Sequence, residues 1–170
     1  RELPKYMQKK YRDRKVDENF TFVVPGYNVR STDLNAVLGQ MQLKDLDYHN
    51  NIRRNNFDVF ASGLNRDKFY TDFKLEGNSS FCFPVITKST REDTLALRKY
   101  LESQGVETRP IIAGNLYEHP FMDRVNQYRH DKNAKVVHQN GFYVGNNHAV
   151  NVGDVTWLVE RLNAWERGEQ

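Results

Sequence analysis

Two short segments set polar groups of specific geometry into otherwise apolar sequence. Pro25-Gly26-Tyr27-Asn28-Val29-Arg30-Ser31 is a tight turn that delivers a carboxamide, a guanidinium and a hydroxyl to the start of a helical pattern. The free N–H groups and the dipole of a helix N-terminus attract anions, and the planar fork of Arg30 suits phosphate. A plain turn closed by a capping serine fits the same spacing equally well. In Thr108-Arg109-Pro110-Ile111-Ile112-Ala113-Gly114-Asn115-Leu116 an arginine enters at a strand and an Ala-Gly-Asn corner follows. Gly114 permits close backbone approach, and Asn115 offers both a donor and an acceptor to a sugar hydroxyl or a cofactor edge. A surface ion pair is the plainer role for Arg109.

Other chemistries find little support. The five histidines, His49, His119, His130, His138 and His148, lie far apart without the spacing of a zinc site, so no metal is expected. No Gly-x-Ser-x-Gly elbow occurs, and Gly141-Phe-Tyr-Val-Gly145 lacks the spacing of a phosphate loop. The single cysteine, Cys82, cannot form a disulfide within the chain, and between Phe81 and Phe83 it reads as a small buried thiol. With 28% charged residues and a net charge of +3, the surface is ordinary rather than polycationic, so no nucleic-acid partner is expected. The basic run Lys5, Lys9, Lys10, Arg12, Arg14 and Lys15 in the first 18 residues reads as a solvated arm. No apolar stretch approaches the roughly 20 residues of a membrane helix and no signal pattern opens the chain, so a cytoplasmic protein without a membrane partner is expected.

The elements that must position these groups follow from periodicity and caps. Phe20 to Val24 is a β-prone run stopped by Pro25-Gly26. Ser31 or Thr32, with Asp33, opens a helix carrying Leu34, Val37, Leu38, Met41, Leu43 and Leu46. The pattern resumes at Ile52, Phe57, Phe60 and Leu64, and the polar stretch His49 to Asn51 predicts a kink or break. Ser80 to Thr87 predicts a strand with Pro84 at an edge or bulge. Thr90 caps a helix through Leu95, Leu97, Tyr100 and Leu101 that Gly105 terminates. Val106 to Ile112 and Gly141 to Gly145 predict two more strands, with a short helix near 115–124 and another at Lys132 to Gln139. Asn151, paired with Asp154 as a capping box, opens a last helix with Val155, Leu158, Leu162 and Trp165 on one stripe. Strands and helices alternate, which predicts an α/β (α+β) layer with helices over one face of a sheet.

At the two polar segments the chain resembles a known family. Pro25 to Ala36, followed by Gly39-Gln40-Met41-Gln42-Leu43, is similar to the Gly-Tyr-Asn-x-Arg turn and following helix of the DegT/DnrJ/EryC1/StrS sugar aminotransferase and dehydratase family. Gly105 to Leu116, His119-Pro120 and Gly141 to Asn146 resemble the branch that contains the GDP-4-keto-6-deoxymannose 3-dehydratases. The likeness runs from about Phe20 to the C-terminus. It implies the small C-terminal domain of a fold-type-I enzyme, with a three- or four-stranded sheet covered by helices and preceded by a long helix. Residues 1–30 would be an arm and turn left from the large cofactor domain, 31–65 a linking helix or helices, and 66–170 the small α/β domain.

The resemblance also implies roles. The cofactor is pyridoxal 5'-phosphate or pyridoxamine 5'-phosphate, and the substrate a nucleotide-linked sugar in deoxysugar or lipopolysaccharide O-antigen synthesis. The enzyme is a homodimer with a shared active site, in which Asn28 reaches the cofactor phosphate of the neighbouring subunit. Arg30 lies near the substrate's charged groups, Arg109 and Asn115 face the sugar or cofactor, and His119 and His148 stand at the rim. No catalytic residue is expected within this stretch. The stacking aromatic, the aspartate on the pyridine nitrogen and the Schiff-base lysine, or the histidine that replaces it in dehydratases, would precede Arg1, in keeping with a first residue other than Met. Without a base and an electron sink the stretch alone is expected to be inactive. A different class stays open: a non-catalytic binding or dimerisation module that meets nucleotide phosphates through its basic arm, with the apolar helix from Leu34 to Leu64 as a dimer face.

Overall fold

The computed structural model describes residues 14–17, 20–124 and 131–166. The chain divides into two compact units, Arg1–Gly26 with Pro84–Val144, and Tyr27–Phe83 with Gly145–Gln170. We call them the sheet unit and the helical unit.

In the helical unit the main-chain N–H and the hydroxyl of Thr32 both donate to Asn35 Oδ1, at 3.0 and 2.7 Å, and helix α1 (Asp33–Gln42) starts there. A single 3-10 turn, Leu43–Asp45, separates it from α2 (Leu46–Gly63). The interruption expected at His49 to Asn51 is absent, because those residues lie inside α2. His49 stacks on His148 and Asn50 accepts a hydrogen bond from the Ser79 hydroxyl, so their polar groups find side-chain partners, and their helix propensities cost only a few tenths of a kcal/mol each, too little to break the helix. The break falls earlier, where Asp45 leaves the helical region at φ −106°, ψ 8°.

Helix α1 buries none of its residues, whereas α2 buries Asn56, Phe57 and Phe60. Phe60 packs against Phe83 at 4.8 Å between ring centroids, and Phe73 meets Phe57 edge-on at 5.4 Å. Helix α5 (Val152–Ala164) lies on α2 and contributes Val155, Leu158, Val159 and Leu162 to the same core. Its start is the expected capping box: Asn151 N–H donates to Asp154 Oδ2 at 3.0 Å, and Asp154 N–H returns a bond to Asn151 Oδ1 at 3.1 Å. Trp165 stands one residue past the end of the helix, at φ −59°, ψ 129°, and is half-buried.

The sheet unit holds most of a three-stranded sheet of β1 (Cys82–Ile86), β2 (Thr108–Pro110) and β3 (Gly141–Gly145), in the order β1-β3-β2. Strands β2 and β3 are antiparallel, with Thr108 opposite Val144, Arg109 opposite Tyr143 and Pro110 opposite Phe142. Helix α3 (Arg91–Ser103) starts at Thr90, whose hydroxyl accepts the Asp93 N–H, and buries Leu97 and Leu101. It stops before Gly105, whose φ of +82° is open to glycine without strain. Helix α4 (Lys132–Asn140) is capped by Asp131, whose Oδ1 accepts from Asn133 N–H at 2.9 Å and Ala134 N–H at 3.0 Å.

Two strand expectations are corrected. Val106 to Ile112 yields only three strand residues, because Ile112 and Gly114 turn to φ +43° and +59° and end the extended backbone. Phe20 to Val24 forms no strand. Phe22 instead donates its N–H to the His119 ring at 3.2 Å and accepts the Phe121 N–H at 3.3 Å, so its backbone groups are satisfied without a ladder. Among the described residues the sheet therefore has three strands, and the architecture is the expected mixed α/β layer.

Candidate cofactor and substrate site

The turn ahead of α1 carries its polar groups on the surface. Asn28 and Arg30 are exposed, and Arg30 Nε donates to Asn28 Oδ1 at 3.1 Å. This bond engages the carboxamide oxygen of Asn28 with the inner nitrogen of the guanidinium. Tyr27 and Val29, on either side of Asn28, are 97% and 83% exposed, so the turn takes no support from its own unit's core. A cluster of N–H donors at a helix head is matched to a phosphate or carboxylate.

The second segment lies in the sheet unit. Arg109 projects from β2 with its Nη2 2.7 Å from Glu107 Oε1, and Nε donates to the same oxygen at 2.8 Å. The hydrogen bond to that carboxylate pushes the arginine pKa up from its ordinary value. Asn115 is buried, and its Oδ1 accepts the Tyr117 N–H at 3.2 Å, which starts a 3-10 turn at Leu116–Glu118. Its own N–H donates to His138 Nδ1 at 3.3 Å.

His119 is 1% exposed, and this corrects its expected place at a rim. Its Nδ1 accepts the Phe22 N–H, its Nε2 bonds the Ala113 carbonyl, and the Phe22 ring lies 5.1 Å away. Both ring nitrogens are satisfied by backbone, so the imidazole can be buried without leaving a polar atom bare. His148 belongs to the helical unit, where it is exposed and stacks on His49 with centroids 4.0 Å apart and planes at 20°.

The structure thus brings Asn28 to Arg30, and Asn115 and His119 to the Ala113–Asn115 corner. Asn28, Arg30 and His148 lie in one unit, and Arg109, Asn115 and His119 in the other. Sequence reasoning gave no role to His138, which occupies the space beside Gly114: a Cβ built there would fall 2.3 Å from His138 Nδ1. Only the third-dimension neighbourhood of the Ala-Gly-Asn corner carries that signal. A cavity of about 90 Å³ opens beside the corner, bordered by Asp17, Arg91, Arg98, Ile111, His119 and His138. Among the described residues no three His, Cys, Asp or Glu side chains cluster to hold a metal, and no helix is long and apolar enough to cross a membrane.

Comparison with known proteins agrees with these motifs. The chain is 35% identical over 159 residues to GDP-4-keto-6-deoxy-D-mannose 3-dehydratase of Escherichia coli, a match that covers 88% of this chain and 40% of that protein. It is 30% identical over 118 residues to the lipopolysaccharide biosynthesis protein RfbH of Salmonella typhimurium, covering 66% of this chain and 27% of that one. Among solved structures, that of the E. coli GDP-4-keto-6-deoxy-D-mannose 3-dehydratase with bound hydrated pyridoxal phosphate superposes with a TM-score of 0.62 at 29% identity, over 86% of this chain and 39% of that one. The chain therefore spans about 40% of the length of the first curated relative it matches. The family model of the DegT/DnrJ/EryC1/StrS aminotransferases matches residues 4–163, and the chain belongs to that family.

Proposed function

We propose that this chain is the C-terminal part of a cytoplasmic enzyme that uses pyridoxal or pyridoxamine 5'-phosphate to modify a nucleotide-linked sugar, as a 4-keto-6-deoxyhexose 3-dehydratase or a sugar aminotransferase, in deoxysugar or lipopolysaccharide O-antigen synthesis. The observation that carries this reading is the exposed Asn28–Arg30 pair at the head of α1, in a chain of this family. The donor set fits the cofactor's phosphate. Asn28 Nδ2, the outer guanidinium nitrogens of Arg30 and the first N–H groups of α1 are all donors, and the Arg30–Asn28 bond holds the carboxamide in one orientation. When bound, the cofactor supplies an electron sink for chemistry beside a sugar carbonyl.

In this reading Asn28 binds the phosphate, Arg30 meets the anionic part of the substrate, and Arg109 and Asn115 contact the sugar. His148 is a further substrate contact. His119 acts from beneath, through the Ala113–Asn115 corner, since burial keeps its ring from direct contact. The partner is a second copy of the chain. Leu34, Val37, Leu38 and Met41 are each more than half exposed along α1, directly after the turn, and this apolar face supports an association that would bring the turn to a neighbour's cofactor.

The test is made on the intact enzyme of which this chain is part, by cofactor absorbance and by turnover of a GDP- or dTDP-linked 4-keto-6-deoxyhexose. Asn28→Ala should weaken cofactor affinity by about tenfold to a hundredfold, corresponding to one charge-assisted hydrogen bond of about 1.5–3 kcal/mol. Mixing Asn28→Ala subunits with subunits inactivated at the cofactor base should restore half-site binding if the site is shared. Unchanged cofactor affinity in Asn28→Ala would remove the carrying observation.

A further inference from the structure

The Ala113–Asn115 corner is gripped by two imidazoles whose proton positions follow from their partners. His119 Nδ1 receives the Phe22 N–H, which can only donate, so this nitrogen carries no proton. His119 Nε2 faces the Ala113 carbonyl, which can only accept, so this nitrogen carries one. The same reasoning holds for His138. Its Nδ1 receives the Asn115 N–H at 3.3 Å and its Nε2 faces the Arg14 carbonyl at 3.2 Å. Both rings are therefore neutral Nε2–H tautomers, and each joins the corner to the segment that precedes the Pro25-Gly26 turn.

We infer that His119 and His138 act as positioning residues, a pair of neutral linchpins that hold the corner and the backbone of Asn115 against Phe22 and Arg14, and that the His138 link lets go when its ring is protonated. A second proton on the imidazole would sit on Nδ1 and point at an N–H, turning an attraction into a repulsion and leaving a donor unsatisfied. That this release matters to a sugar rests on the proposed role of Asn115; the clasp itself does not.

The surroundings favour the neutral state. Arg91, at the head of α3, extends Nη1 to the His138 and Gln139 carbonyls at 3.4 and 3.5 Å, placing a fixed positive charge behind α4. Lys15 and Arg98 border the cavity that the two rings share, with Asp17 as the carboxylate there. Glu118, on the 3-10 turn, opposes them, while the positive charge of Arg14 is taken up by Asp123 at 2.6 Å. Desolvation is the largest influence on His138 and lowers its pKa from the ordinary histidine value. The Arg14 carbonyl and Glu118 oppose the shift, and Arg91 and His119 add to it. Because the folded value lies below the unfolded one, the unfolded chain takes up the proton first as pH falls. The clasp is complete above about pH 6.5 and is lost as pH drops from there through the folded value.

The experiment is NMR on the 170-residue chain between pH 8 and 5. Long-range imidazole ¹⁵N spectra should show both rings as Nε2–H tautomers at pH 7.5. After correction for intrinsic exchange, the Asn115 amide should lose about tenfold protection for each pH unit across the His138 titration. His138→Gln can accept from Asn115 and donate to Arg14 without titrating, so it should keep the Asn115 protection and flatten its pH profile. An Nδ1–H tautomer at His138, or amide protection that does not change from pH 8 to 5, overturns the inference. So does a His138→Gln profile identical to that of the parent. If that variant does not fold, the tautomer spectrum of the parent still decides. No cofactor or sugar enters these measurements, so their failure is separable from failure of the proposed role of Asn115, which sugar binding tests.

Discussion

Asn56 and Asn146, 90 residues apart in the chain, meet inside the helical unit through a hydrogen bond from Asn56 Nδ2 to Asn146 Oδ1 at 3.3 Å. Both side chains are buried, at 2% and 0% exposure. Asn146 Nδ2 also donates to the Arg53 carbonyl at 3.0 Å and the Ser80 carbonyl at 2.9 Å, while Asn56 Nδ2 reaches the Val150 carbonyl at 2.9 Å. One carboxamide thus ties α2, the approach to β1 and the exit of β3. Asn146→Ala strands buried acceptors on two of these segments and should cost about 3 kcal/mol. A urea midpoint shifted at constant slope would show it; a change under about 1 kcal/mol would mean that water replaces the lost amide.

Gly114 combines a positive φ of +59° with a Cβ position 2.3 Å from His138 Nδ1, whereas Gly105 at φ +82° has open space around it. Gly105→Ala should therefore cost only the left-handed backbone penalty, about 1–2 kcal/mol. Gly114→Ala should cost more, because His138 must also move, and its Asn115 amide should exchange faster than in the parent. Equal costs for the two substitutions would show that the His138 contact is soft.

Ile112 holds a β-branched side chain at φ +43° while remaining 61% exposed. Such a conformation costs of order 1–3 kcal/mol, and little burial offsets it. Ile112→Gly should raise stability by about 1 kcal/mol in chemical denaturation. A loss of stability instead would mean that the side chain packs more than its exposure implies.

Burial pushes the Cys82 thiol pKa up, and a hydrogen bond with Ser80 only partly counters the shift. Since the thiolate is the reacting species, iodoacetamide should modify Cys82 more slowly than free cysteine at pH 8, and the rate should still climb above about pH 8.5, where an unperturbed thiol is half ionised. Ser80→Ala should slow the reaction further. A rate equal to that of free cysteine at pH 8 would contradict this.

Local signals were legible residue by residue. Thr90 ahead of α3, Asn151 with Asp154 ahead of α5, Gly105 after α3 and the Gly141 to Gly145 strand were all readable, because caps, left-handed glycines and strand alternation act within a few residues. So was the family, since the Gly-Tyr-Asn-x-Arg turn and the Ala-Gly-Asn corner are contiguous in sequence. Where the long helix breaks was not legible. The polar residues at 49–51 resemble a break but cost a helix little, while the 3-10 turn Leu43–Asp45 carries the same mix of leucine and charge as the helices on either side of it.

By itself, then, the sequence determined the order of helices and strands from Ser80 onward, the turn that carries Asn28 and Arg30, and the family. Tertiary structure alone decided that Phe22 turns its backbone to a histidine ring instead of a strand, and that His119 is buried. It alone brought His138 to Asn115 across 23 residues and Asn146 to Asn56 across 90. The physical reason is common to all four. A buried polar group must find a partner of opposite hydrogen-bonding character, and which partner is within reach depends on how the chain returns on itself, not on the residues next to it.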